Sequence, residues 1–247
     1  MTELDASYLN DLVTRVLADL KKVNKEFLYG SIHDTIDEYG YKRLGIRVPA
    51  VRKVASPYWK ELREKGIRDA DVVFRVCEHL YSTRIAELRL IATDWSFKVK
   101  KQFESSHFSI LESWIDTYLF SWGSIDSFCT RTMGYFLLQY PEFIPDVKRW
   151  TQSSNPWVRR AAAVSFIYAL RREKYLQHCF EVANTLLNDP DLYVLKGYGW
   201  MLKEASNKFR EEVFEYVLAN KSTMPRVSLR YSIEKMPIEM RKKAMEK

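Results

Sequence analysis

The chain has 247 residues, long enough to bury a sizeable core without a disulfide or a structural metal as a staple. Its formal net charge of +7 and pI near 9.1 favour a polyanionic partner, a balance that suits nucleic acid, an anionic membrane surface or plain solubility. Three cysteines, Cys77, Cys129 and Cys179, are odd in number and form no C-x-x-C pair, so reduced thiols in a cytoplasmic protein are expected and a cysteine metal site is not.

From Met1 through Asp5 the sequence is polar and acidic, and it leads into an amphipathic stretch. No signal peptide is expected, nor a membrane span, since no apolar run reaches about 18 residues. Leu9, Leu12, Val13, Val16, Leu17 and Leu20 recur at three- and four-residue steps and predict a helix with one buried face. Between Gly66 and Gly123 the chain contains neither glycine nor proline, which predicts helices there. Three apolar stripes fill that interval: Val72, Val73, Val76, Cys77 and Leu80; then Ile85, Leu88, Ile91, Ala92, Trp95 and Val99; then Phe108, Leu111, Trp114, Ile115 and Tyr118. Prolines fall between stripes. Asn155-Pro156 reads as an N-cap followed by proline at the first helical position, leading into Trp157 to Leu170, and Asp189-Pro190 repeats the signal. No alternating segments joined by Asn-Gly or Asp-Gly are present, so the fold class is all-α.

Internal repetition narrows the architecture. Val51-Arg52-Lys53-Val54-Ala55, Leu88-Arg89-Leu90-Ile91-Ala92, Val158-Arg159-Arg160-Ala161-Ala162 and Val194-Leu195-Lys196-Gly197-Tyr198 each place an apolar residue and a base before small or apolar residues. The register Arg52, Arg89, Asp126, Arg160, Lys196, Arg230 has spacings of 37, 37, 34, 36 and 34. Helix pairs recurring roughly every 35 to 45 residues stack into a superhelical solenoid, here of about six antiparallel pairs in one domain over residues 1–247. Equivalent positions then share a face, predicting a basic stripe with one acid, Asp126, within it.

That acid has two readings. It is a charge-balancing partner for arginines, or it is a carboxylate kept ionised by nearby cations so that it can stabilise a cation developing on a substrate. Cleavage of a glycosidic bond supplies such a cation. Trp122 lies one helical turn before Asp126 and Trp200 one turn after Lys196; each is either core or site. Gly197 and Gly199 around Tyr198 point to a closely approached backbone. His33, His79, His107 and His178 show no ligand spacing, so neither metal nor other cofactor is expected.

Ser121-Trp122-Gly123-Ser124-Ile125-Asp126-Ser127, Asn155-Pro156-Trp157-Val158-Arg159-Arg160-Ala161-Ala162 and Lys196-Gly197-Tyr198-Gly199-Trp200 resemble the three motifs of the AlkD-type DNA alkylation repair glycosylases. Gly45-Ile46-Arg47-Val48-Pro49 and the segment from Met224-Pro225-Arg226 to Ile233 extend the likeness over nearly the whole chain. The resemblance implies HEAT-like repeats and a monomer acting without cofactor on double-stranded DNA that contains purines alkylated at N3 or N7. It also implies that the base is removed without being flipped out, leaving an abasic site. By resemblance Asp126, Trp122 and Trp200 are catalytic and Arg160 binds DNA; Lys196 and Arg52 are further candidates for the DNA backbone.

The chain departs from the family where a tandem Trp-Trp-Asp is common: it has Ser121-Trp122-Gly123, one aromatic and one acid fewer, which bears on substrate range. The family's N-terminal tyrosine has two possible counterparts, Tyr39 and Tyr41. The rival reading is a non-catalytic HEAT-like module that holds DNA or a protein along the same face. Such a DNA binder gains nothing from an acid facing phosphates.

Overall fold

A computed structural model describes residues 5–30 and 33–246. The chain forms two compact units, Met1–Glu104 and Ser105–Lys247. Among the described residues the fold is all-α apart from one antiparallel pair of two-residue strands, β1 (Thr35–Ile36) and β2 (Lys42–Arg43), and isolated bridges. No described helix is long and apolar enough to cross a membrane.

The first unit holds α1 (Ala6–Lys21), α2 (Val48–Glu64), α3 (Ala70–Ser82) and α4 (Ala86–Lys98). Leu12, Val16 and Leu20 of α1 are buried, the centre of the stripe that periodicity identifies. Val73, Val76, Cys77 and Leu80 of α3 and Leu88, Ile91, Ala92 and Trp95 of α4 are buried where the two helices pack together. The loop into α2 is held by the buried Glu87, whose carboxylate accepts from the backbone N–H of Leu44 at 3.0 Å and of Ile46 at 3.1 Å. Gly45 between them has φ +72°, and a β-carbon there would fall 2.7 Å from the His33 Cα, so only glycine fits.

Two expectations change in this unit. Pro57 lies inside α2 and not between stripes; it sits with Lys53 on the exposed face, where a carbonyl freed by the missing N–H meets water. Arg89 does not join an exposed basic stripe. It is buried, with its guanidinium 4.2 Å from the Tyr41 ring centroid, so desolvation holds its pKa below the usual arginine value.

The second unit runs through α5 (Phe108–Tyr118), α6 (Trp122–Phe128), α7 (Gly134–Gln139), α8 (Ile144–Arg149), α9 (Pro156–Val164), α10 (Ile167–Leu170), α11 (Leu176–Thr185), α12 (Leu192–Ala205), α13 (Arg210–Asn220), α14 (Arg226–Ile233) and α15 (Ile238–Met245). A π-helical turn, Cys129–Met133, joins α6 to α7. The second helices of successive pairs pack side by side: α6 on α9, α7 on α10, α9 on α12 and α12 on α14. The stacking is visible in side-chain bonds that span one repeat. Asn155 donates to Asp116 at a separation of 39 residues, Arg171 to Glu204 at 33, Ser228 to the Leu195 carbonyl at 33 and Tyr216 to Asn184 at 32. Each pair thus buries against its neighbours the apolar face it cannot bury alone.

Asn155 caps α9 as its sequence predicts, accepting from the Trp157 N–H at 3.0 Å, with Pro156 at the first position. The matching signal at Asp189-Pro190 is displaced by two residues. Asp189 is forked by Arg159 at 2.6 and 3.0 Å, and Asp191 caps α12 instead, accepting from Tyr193 and Val194.

Candidate active site

Ser121 starts α6. Its hydroxyl accepts from the Ser124 N–H at 3.3 Å while the Ser124 hydroxyl accepts from the Ser121 N–H at 3.2 Å, a reciprocal cap that sets Trp122 as the first helical residue. Trp122 and Asp126 are one turn apart on one face. Trp122 is 57% exposed, which excludes the core reading for it. One turn deeper, the Asp126 side chain is only 16% exposed. The helix then widens into its π turn, where Thr130 donates its hydroxyl to the Asp126 carbonyl at 2.7 Å. Interruptions of this kind concentrate at functional sites.

The partner of Asp126 comes from the next repeat. Arg160 of α9 donates from Nε to Oδ1 at 2.9 Å and from Nη2 to Oδ2 at 2.8 Å, and its Nη1 donates to the Tyr193 carbonyl at the start of α12. Three successive second helices, α6, α9 and α12, therefore meet at one guanidinium. Burial pushes the Asp126 carboxyl above the usual aspartate range, and the Arg160 fork pulls in the opposite direction. Arg160 itself is 5% exposed, with both its nitrogen ends engaged inside the protein. That geometry differs from the phosphate contact expected of it.

On α12, Tyr193, Lys196 and Trp200 follow one another at three- and four-residue steps. The Tyr193 ring packs on Trp157 with centroids 5.2 Å apart, and the Lys196 ammonium stands 5.7 Å from its centroid. Trp200 is half-buried, and its indole N–H donates to Glu204 at 3.2 Å. Burial opposes the charge on Glu204, but Arg171, Lys235 and the Trp200 indole together hold its carboxyl below the usual glutamate range. Two mostly buried carboxylates of one unit are thus pushed in opposite directions, Asp126 with one cationic partner and Glu204 with two.

Sequence reasoning did not single out Tyr193 or Glu204. Glu204 carries a signal, the four-residue spacing from Trp200; Tyr193 contributes a backbone carbonyl, which no side-chain pattern reveals. Of the remaining candidates, Arg52 belongs to the first unit. It is forked on Asp94 at 2.7 and 3.2 Å with 53% of its side chain exposed. Tyr41 is fully buried and unable to face a ligand, whereas Tyr39 is half-buried. Among the described residues no three His, Cys, Asp or Glu side chains are grouped to hold a metal ion.

An exposed indole beside a recessed, arginine-held carboxylate offers an apolar platform next to a fixed negative charge. Comparison with known proteins speaks to the family and the fold. Residues 18–236 match the family described as DNA alkylation repair enzyme. A solved structure described as a predicted DNA alkylation repair enzyme from Enterococcus faecalis superposes with a TM-score of 0.69 at 15% identity, covering 80% of this chain and 90% of that one. The structure of smu.31 from Streptococcus mutans gives 0.54 at 16% identity, over 76% and 97%. At these identities the two likenesses speak for the fold. No curated protein matches the chain.

Proposed function

We propose, since the chain belongs to the DNA alkylation repair enzyme family, that it is a glycosylase hydrolysing the N-glycosidic bond of cationic N3- or N7-alkylated purines in duplex DNA. The observation that carries this reading is the exposed Trp122 one turn from the recessed, Arg160-held Asp126. An alkylated purine already bears the positive charge that makes it a good leaving group. The C1′–N bond breaks with its electron pair leaving on the purine, which departs neutral and needs no general acid. The deoxyribose passes through an oxocarbenium-like state that Asp126 faces and stabilises. Water adds to C1′, a proton goes to solvent, and an abasic site remains.

Trp122 and Trp200 pack on the deoxyribose at the lesion, so the base need not be extruded into a pocket, unlike the usual glycosylase route. Arg160 holds Asp126 in place, a different role from a phosphate contact. Backbone contacts fall to Lys196 and to Arg52. The 247 residues act as one domain and as a monomer, in the cytoplasm or on the nucleoid. The experiment is incubation of the purified protein with methylated duplex DNA. Free 3-methyladenine or 7-methylguanine is the expected product. DNA binding without base release would instead favour a non-catalytic HEAT-like module.

A further inference from the structure

Two glycines flank Tyr198 on α12, and they meet different neighbours. A β-carbon at Gly199 would fall 2.8 Å from the Tyr231 Cβ and 3.0 Å from the Ser228 carbonyl oxygen, so its bare backbone is what lets α14 pack on α12. A β-carbon at Gly197 would lie 3.1 Å from Cγ and 3.2 Å from Nη1 of Arg160. The atoms it would press belong to the side chain that forks Asp126. One turn before Gly197, the Tyr193 carbonyl accepts from that same Nη1. α12 therefore supplies both the space beside Arg160 and the acceptor that fixes it.

We propose that Gly197 is a positioning residue for Asp126: its missing side chain leaves room for the Arg160 guanidinium against α12, where the Tyr193 carbonyl anchors it in register with the carboxylate. Any side chain at this position moves Arg160 and loosens the fork. The consequence for catalysis rests on the glycosylase reading above; the consequence for the carboxylate does not. Among the described residues, Arg160 from α9 and the buried Cys129 from the π turn that follows it interact with the Asp126 carboxyl. Of these only Arg160 draws the carboxyl down, so displacing it leaves burial unopposed.

The test compares Gly197→Ala and Gly199→Ala with the wild type by thermal melting, by carbon-13 NMR titration of the Asp126 side chain, and by single-turnover base release. In Gly197→Ala the melting temperature is expected to fall, but by less than in Arg160→Ala, because alanine is the better helix former and the buried fork is loosened and not removed. Its Asp126 titrates at higher pH than in wild type. Base release falls about tenfold, less than the roughly hundredfold of a full 1 Å misplacement, and its acid limb moves up with the titration. Gly199→Ala should lower the melting temperature and leave the Asp126 titration in place. An unmoved Asp126 titration in Gly197→Ala overturns the proposal. If the wild type releases no base, the glycosylase reading fails, while the titration still decides the role of Gly197.

Discussion

The Arg160 guanidinium grips the Asp126 carboxylate at two points across neighbouring repeats, Nε to Oδ1 at 2.9 Å and Nη2 to Oδ2 at 2.8 Å, with both side chains largely withdrawn from solvent. A pair of this kind is costly to break from one side, because the surviving charge stays buried. Arg160→Ala should therefore destabilise the protein by about 3 to 5 kcal/mol, measured by chemical denaturation. It should also slow base release. Loss of activity with unchanged stability would mean that Arg160 acts on the substrate and not on Asp126.

Trp122 and Trp200 separate by their burial. Trp122→Ala removes an exposed ring, so stability should stay within about 0.5 kcal/mol of wild type while base release slows roughly tenfold to a hundredfold. Trp200→Ala also strips Glu204 of an indole donor, which adds about 1 kcal/mol of destabilisation. A sharp drop in melting temperature for Trp122→Ala would make that side chain structural.

On the glycosylase reading, acid should silence base release through Asp126. Its carboxyl is raised above the ordinary 3.8, so falling pH protonates it in the folded protein earlier than in the unfolded chain. Protonation relieves a buried charge; this group by itself therefore favours folding at low pH, while the proposed catalysis would lose its anion there. The catalysed rate, after subtraction of spontaneous depurination, should decline with a midpoint above 3.8. Glu204 behaves oppositely: its lowered carboxyl contributes stability present above the ordinary 4.5 and lost below its folded value.

Salt dependence distinguishes the bases. If Lys196 and Arg52 touch phosphates, replacing either by alanine should reduce the slope of log affinity against log salt by roughly 0.9. Arg160→Ala, carried in a variant still shown to be folded, should leave the slope unchanged. A reduced slope there would restore Arg160 to the DNA backbone.

Much of this was legible in the residues themselves. Three- and four-residue spacing places Leu12, Val16 and Leu20, or Trp122 and Asp126, on a common helical face, because that geometry is set within one helix. The roughly 35-residue recurrence likewise anticipated that successive helix pairs stack. What the pattern could not reveal was which bases are buried. Arg89 and Arg160 occupy the same register as Lys196, yet one stacks on Tyr41 and the other forks Asp126, outcomes fixed by residues 48 and 34 positions away. The cap of α12 moved from Asp189 to Asp191 for a similar reason, since Arg159, 30 residues earlier, had already engaged Asp189.

The most direct measurement is single-turnover release of 3-methyladenine or 7-methylguanine by wild type and Asp126→Asn, beside a binding titration on a stable abasic-site analogue. The amide keeps the size of the carboxyl and can still accept a bond from Arg160, so the variant should fold and bind DNA as well as wild type or better. If Asp126 faces the oxocarbenium as proposed, the variant forfeits that anion, an interaction of about 4 kcal/mol at roughly 4 Å and an effective dielectric near 20. Base release should accordingly fall roughly a thousandfold. Equal rates for the two proteins would contradict the account and leave Asp126 as no more than the salt-bridge partner of Arg160.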